Sequence, residues 1–501
     1  MPHIYFSIRE RGGEGIVLPL PAMMGRDLAR EQDLLDRVNA VVVNGVPVRE
    51  WRNDGVLVWQ RFQQPLLFAD IPSFYAGKRS AEERSTRTRT PFLGFAALLI
   101  TAYASARMLL ARPRVFVFSI DKASDPISQS DARIAPVYAA LRETGTSFIE
   151  CFHTTIDEFW RGFVLRGRSA LYLESFDLLW RLKQLVPGLR EPSPALSFGA
   201  LPPGTPEEQA FMKAVVSKYL GSLPRHAFRA RMLERLLKRA RPDVAFLVDD
   251  TRHYHDAVNA LHSAGVPSYA VQHGQFTKRH AGWRRFPGIE GEYERADAML
   301  VWNEHWKRAL SSLDAVFPDE AVLIAGNPTA LDALRRRPEA PLAVLVPFES
   351  EGPFELMKRI LKTLSESRAR ILFKPRLDRD VHEQLARYGL PIGTELVREL
   401  DSYQGEVSVA LGSYTTLLYE LCARGIPVAL LRAPGVPENS MAEEGLAEPL
   451  SPEESDILGA LARIANLPDA VVDERSRRLK APMQFKDSVN GLIQKHAHAR
   501  P

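Results

Sequence analysis

The sequence predicts an α/β protein of two successive doubly wound halves, preceded by an N-terminal extension. Three observations carry this. Continuous apolar runs of strand length recur from residue 115 onward, as strands buried on both faces of a parallel sheet require. Helix-like segments separate them at βαβ spacing. A charged, proline-bearing stretch, Arg335-Arg336-Arg337-Pro338-Glu339-Ala340-Pro341, interrupts the rhythm once, after which it restarts.

The chain has 501 residues, 45% hydrophobic and 25% charged, which suits two or three folded domains. Its 65 Lys and Arg against 61 Asp and Glu leave a net charge of +4, too small over this length to indicate a nucleic-acid partner. Cys151 and Cys422 lie far apart, with neither metal spacing nor a disulfide framework, and read as reduced thiols of a cytoplasmic protein. The N-terminus shows no export signal.

Residues 1–112 show no βα rhythm. Short strand-like segments, Ala40-Val41-Val42-Val43 and Val56-Leu57-Val58-Trp59, are broken by Asn44-Gly45 and Asn53-Asp54-Gly55 turns, as in an extension or small accessory domain. A basic segment, Lys78 to Arg89, precedes an apolar one, Phe92 to Ala111. Arg107 leaves the latter short of the ~20 residues a membrane span needs. It reads as a packed core helix or as a helix lying on a membrane surface, with a true span as the remaining alternative.

The first half, 113–335, opens with the strand Val115 to Asp121, a helix ended by Gly145, and the strand Ser147 to Phe152. Helices are expected at Ser169 to Leu185 and Glu207 to Arg239. The plainest βαβ unit runs from Asp243-Val248 through a helix over Tyr254 to Ser263, stopped by Gly265-Val266-Pro267, into the strand ending at Gln272. Strands at Ala298 to Trp302 and Val322 to Ala325 complete this half. The second half, 340–501, repeats the pattern with strands at Leu342 to Pro347, Ala369 to Lys374, Val407 to Leu411 and Pro427 to Leu431. Helices lie at Phe354 to Ser365 and up to Arg424.

In such sheets ligands bind beyond the carboxyl ends of the strands, so the residues there carry the chemistry. Asp249-Asp250 supply a general base or a helix cap. Gln272-His273-Gly274 place an imidazole beside a glycine turn, fit to hold a phosphate or hydroxyl or to bond a neighbouring backbone group. Lys374-Pro375-Arg376 offer two cations to a phosphate charge, or pair with Asp378 and Asp380. Ser413, Thr415 and Thr416 sit at a helix start whose backbone amides would be open to an anion, and Glu420 one turn on is placed to reach a sugar or ribose. Glu351, within Glu349-Ser350-Glu351-Gly352, holds an acceptor or caps a helix. Phosphate-loop, nucleophile-elbow, zinc-helix and paired-cysteine motifs are absent, and no metal-ligand cluster is seen.

These strand ends together resemble GT-B glycosyltransferases of bacterial surface polysaccharide synthesis. The donor side is similar at Lys374-Pro375-Arg376, Ser413-Tyr414-Thr415-Thr416, Glu420 and Gly425-Ile426-Pro427-Val428. The acceptor side is similar at Gly265-Val266-Pro267, Gln272-His273-Gly274, Ala296-Asp297 and Ala325-Gly326-Asn327-Pro328. The lysine-proline and serine/threonine elements resemble those of sialyl-, Kdo- and CDP-glycerol-type transferases, although Arg376-Leu377 stands where those show histidine-proline.

The resemblance implies two Rossmann-like domains and metal-independent transfer with no cofactor. The substrate would be a nucleotide-activated sugar, CMP- or CDP-linked, and the acceptor a capsule or lipopolysaccharide glycan or its lipid-linked precursor. It implies a cytoplasmic protein, peripheral on the inner face of the membrane. A nucleotide-sugar 2-epimerase and a non-catalytic assembly or export component are the alternatives.

Overall fold

A computed structural model describes residues 27–497 except 54, 78–98, 100–101, 104–105, 107–109, 111, 120–133, 153–169, 174, 192–193, 249–254, 278–280, 328–331, 339–340, 350–351, 377–380, 392, 401–402, 404, 434–435, 437–438 and 452. The basic segment 78–89 therefore lies outside the described residues.

The chain enters through the helix Leu28–Asn39, whose N-cap Asp27 accepts the Arg30 amide at 3.0 Å. Two antiparallel hairpins follow, β1 (Val42–Val43) with β2 (Val46–Pro47), and β3 (Arg52–Asn53) with β4 (Val56–Leu57). The first turns through Asn44 and Gly45, both at positive φ (52° and 81°), as a tight two-residue hairpin turn demands.

The first large sheet is built from β5 (Val115–Ser119), β6 (Phe148–Phe152), β7 (Ala170–Tyr172), β8 (Val244–Val248) and β9 (Ser268–Val271). It continues, past the short β10 (Glu292–Tyr293), with β11 (Ala298–Val301) and β12 (Val322–Ile324). Its order is β12-β11-β9-β8-β5-β6-β7, with every neighbouring pair parallel. The apolar strand runs are buried because helices cover both faces. The helix expected over 169–185 starts only at Ser175, because Ala170–Tyr172 pair with Glu150–Phe152 as an edge strand.

The second sheet follows the same plan. Its strands are β14 (Ala343–Pro347), β15 (Arg370–Lys374), β16 (Glu395–Leu396), β18 (Val409–Gly412), β19 (Val428–Leu431) and β20 (Glu448–Leu450), ordered β16-β15-β14-β18-β19-β20 and all parallel. The intervening β13 (Arg335–Arg336) pairs with β17 (Glu406–Val407). The charged stretch between the halves is thus partly a strand, in a separate two-stranded sheet with β17. The fold is α/β with two Rossmann-like halves, as the sequence predicts.

Two features join the parts. The N-terminal segment is fastened to the first half by β4, which pairs with β10, and by Arg61. Arg61 is buried between Asp256 (3.0 Å) and Glu294 (Nε to Oε2 2.9 Å), and Asp256 also meets His226 Nδ1 at 2.9 Å. Burial pushes the Glu294 carboxyl up, but Arg61 and His255 outweigh it and hold the pKa at about 2 against the ordinary 4.5. At the other end, the helix Phe485–Ala497 crosses back onto the first half, where His496 meets the Tyr269 hydroxyl at 2.8 Å. The crossing passes Gly326 so closely that a Cβ there would lie 2.4 Å from the Met483 carbonyl oxygen.

Candidate functional site

The ligand crevice of a doubly wound sheet lies where the strand order reverses. In the first sheet the reversal falls between β5 and β8, which end at Ser119 and Val248. Asp249 and Asp250 follow β8 directly in the chain but lie outside the described residues, as does Glu351. Ser119 is fully buried, and its hydroxyl has no hydrogen-bond partner among the described residues.

In the second sheet the reversal falls between β14 and β18, and here one expectation is corrected. The amides after β18 are not open to an anion, because Glu349, 1% exposed, turns its carboxylate into them. Oε1 accepts the amides of Ser413 (2.8 Å), Tyr414 (2.7 Å) and Thr415 (2.9 Å), and Oε2 accepts that of Ser413 at 3.0 Å. The cause is topological. Parallel pairing sets β14 beside β18, so Glu349, two residues past one strand, faces the turn that leaves the other. Two glycines frame it: a Cβ at Gly412 would lie 3.2 Å from Oε1, and one at Gly352 3.3 Å from Oε2. Burial raises the Glu349 pKa, against the pull of the three amides. The Glu349 amide in turn donates to the Tyr388 hydroxyl at 2.8 Å.

Lys374, at the end of β15, donates from Nζ to the carbonyls of Arg398 (2.7 Å) and Pro375 (3.3 Å). Burial lowers its pKa, and the nearby charges of Glu420 and Glu399 act the other way. Glu420 accepts from Arg424 Nε at 3.1 Å and Nη2 at 2.9 Å, and Arg424 is only 1% exposed. Arg376 is exposed, with its backbone clamped by Gln384 at both N–H (2.8 Å) and C=O (2.7 Å). Lys374 and Glu420 thus share one end of the second sheet, and Arg376 stands at its rim.

On the first half, Gln272 is buried and shapes the turn that follows β9. Its Oε1 accepts the Trp302 amide at 3.0 Å and its Nε2 donates to the Gly274 carbonyl at 2.8 Å. The turn carries His273, half-buried, toward the second half. There Gln275 Nε2 donates to the Tyr414 carbonyl at 2.7 Å, and a Cβ on Gly274 would sit 3.9 Å from Thr416 Oγ1. The structure therefore brings Gly274 and Gln275 against Thr416 and Tyr414. A second bridge lies alongside: His305 Nδ1 is 2.9 Å from Glu444 Oε2, and Tyr419 packs on Trp306 at 4.7 Å between centroids. Asn327 belongs elsewhere. It pairs with Gln484 and contacts Asn303 at 3.5 Å, where the chain crosses back from the second half.

Sequence reasoning did not single out Glu349, Gln275 or Ser119. The signal for Glu349 was its place just past the first strand of a restarting βα rhythm, which is one side of the order reversal. Both cysteines are buried, and burial pushes the Cys422 thiol up to about 12.

No family model matches the chain, and no curated protein matches its sequence. Among solved structures it is similar to the UDP-GlcNAc 2-epimerase from Methanocaldococcus jannaschii, at 12% identity and a TM-score of 0.40 over 77% of this chain and 99% of that one. It is similar to CalG4, the calicheamicin glycosyltransferase, at 16% identity and a TM-score of 0.47 over 78% and 100%. It is also similar to MurG from Acinetobacter baumannii, at 12% identity and a TM-score of 0.44 over 76% and 99%. These scores are low, and the chemistry rests on this chain's own residues.

Proposed function

We propose that the protein is a GT-B-type glycosyltransferase that moves a sugar from a nucleotide donor to a hydroxyl of a surface glycan or its lipid-linked precursor. The observation that carries this reading is the Gln275–Tyr414 contact, which sets the turn after β9, one strand out from the first sheet's order reversal, against the turn after β18 at the second sheet's reversal. A donor held at the second sheet would have its sugar presented to groups of the first.

In this reading Lys374 and Arg376 meet the donor phosphates and Glu420 meets the ribose or sugar. The turn 413–416, with its amides taken by Glu349, offers the side chains of Thr415 and Thr416 rather than an anion cradle. Asp249 or Asp250 takes the proton from the acceptor hydroxyl, whose oxygen attacks the anomeric carbon as its bond to phosphate breaks. His273 positions the substrate at the same mouth, or takes the proton in their place. The carboxyl end of a parallel sheet suits this division, because it assembles strand-end residues on a rigid frame.

Product analysis tests the assignment. A purified transferase releases free nucleotide from its sugar donor only when a lipid or glycan acceptor is added. Conversion of the donor's sugar without any acceptor identifies an epimerase instead, and no turnover of any nucleotide sugar under either condition identifies a non-catalytic component.

A further inference from the structure

Of the eleven large apolar side chains that stand exposed among the described residues, four crowd one short stretch: Leu182, Leu185 (77%), Val186 and Leu189 (55%). They close the helix Ser175–Leu185 and the single 3₁₀ turn Pro187–Leu189 after it. Soluble surfaces carry scattered apolar residues, but a contiguous cluster marks an interaction site. The cluster forms a tip, with every residue from Leu185 to Arg190 exposed.

The charge around the tip is one-sided. From Arg181 to Glu191 the chain carries Arg181, Lys183 and Arg190 against Glu191 alone. The long helix Pro206–Ala240 packs alongside, with the rings of Trp180 and Phe228 5.6 Å apart and Arg231 reaching Glu191 at 3.3 Å. Past Arg229, which is buried and paired with Asp177, that helix and its C-cap carry exposed Arg231, Arg235, Lys238, Arg239 and Arg241 against Glu234. The acids are already engaged, Glu191 by Lys183 and Arg231, and Glu234 by Lys238. Arg181 and Arg190 remain exposed beside the aliphatic side chains, and Arg235 is exposed one turn beyond Arg231 on the neighbouring helix. That combination suits the interface of an anionic bilayer, where aliphatic groups enter the headgroup boundary and cations meet lipid phosphate.

We propose that the tip Leu182–Leu189 docks the protein on an anionic membrane surface. It is a different part of the chain from the basic and apolar segments at 78–111, and it would hold a transferase at the surface where lipid-linked acceptors lie. The docking itself does not depend on the sugar chemistry.

The full chain is sedimented with phosphatidylcholine vesicles, with and without phosphatidylglycerol, at low and high salt. Thermal unfolding with and without nucleotides is recorded in parallel. The protein should sediment with the anionic vesicles at low salt. The Leu185→Glu/Leu189→Glu protein should lose about tenfold or more of that partitioning, with its Tm and nucleotide response unchanged. Arg235→Glu should weaken binding only to the anionic vesicles. Wild-type partitioning by the Leu185→Glu/Leu189→Glu protein overturns the proposal, and so does failure of the wild type to bind either vesicle. A wild-type dimer that this variant converts to monomer also overturns it, by assigning the tip to a second copy. Absence of any nucleotide response in the wild type sinks the transferase reading and leaves the docking result standing.

Discussion

Gln275 of the first half donates a 2.7 Å hydrogen bond to the backbone carbonyl of Tyr414 in the second, and this bond crosses the mouth between the two sheets. A side chain that fastens the two mouths together acts on their alignment rather than on nucleotide affinity. Gln275→Ala should therefore lower turnover about tenfold, the scale of one hydrogen bond, while nucleotide affinity stays near native. Steady-state kinetics with calorimetry separates the two, and unchanged turnover would mean the bond plays no part in alignment.

Glu349 satisfies three consecutive amides, so its loss leaves buried donors without an acceptor. Glu349→Ala should destabilise the protein by about 1–3 kcal/mol in urea unfolding, with Glu349→Gln less severe. Native stability in the alanine variant would show that water replaces the carboxylate at no cost.

The Arg61 cluster sets an acid limit on stability. Glu294 has its pKa depressed from 4.5 to about 2, so its contribution is whole above pH 4.5 and is lost as pH falls toward 2. Burial lowers the His226 pKa from 6.5 despite Asp256, so folding favours the neutral ring and acid below pH 6.5 opposes it. The Tm should fall as pH drops below 6.5 and fall further below 4.5. Arg61→Met should cost about 3–5 kcal/mol and flatten the lower limb, since Glu294 then loses the charge that depresses it. An acid profile in Arg61→Met parallel to the wild type contradicts this.

The proton acceptor is tested by comparing Asp249→Asn, Asp250→Asn and His273→Ala. Loss of the general base should cut turnover about 10²–10⁴-fold with little change in nucleotide affinity, because the proposed donor site is on the other half. An aspartate is the favoured residue, as both follow β8 at the order reversal whereas His273 follows the next strand out. Near-native turnover in all three moves the base elsewhere, to Glu351 first.

The strands were legible because each is a continuous apolar run, a pattern that few other elements share. Helix ends were readable where glycine stands at positive φ, as at Gly145 (62°) and Gly265 (67°). The edge strand Ala170–Tyr172 was not, since a strand this short has no periodicity of its own and exists by pairing with Glu150–Phe152. The same limit applies to the site. Sequence identified the turn at 413–416 but read its amides as open, because the group that closes them is 64 residues away in the chain. Likewise Arg61 reaches Glu294 across 233 residues, and no local pattern reveals such a pair. For the apolar segment at 92–111, packed and surface readings were both open. Its described residues Leu99, Ala102, Tyr103, Ala106 and Leu110 are helical and exposed on one face, as either reading requires. No helix among the described residues is long and apolar enough to cross a membrane.

The central claim is that the end of the second sheet binds a nucleotide through Lys374 and Glu420. A thermal-shift screen of CMP, CDP, UDP and GDP tests it most directly, since a ligand that binds only the folded state at about 100 times its Kd adds about 2.7 kcal/mol of stability. Glu420→Gln is the companion to Lys374→Ala, because Glu420→Ala would strand the buried Arg424 guanidinium. The account predicts that at least one nucleotide raises the wild-type Tm and that each variant, measured against its own Tm without ligand, loses this response. No shift with any of the four, or an undiminished shift in both variants, would contradict it.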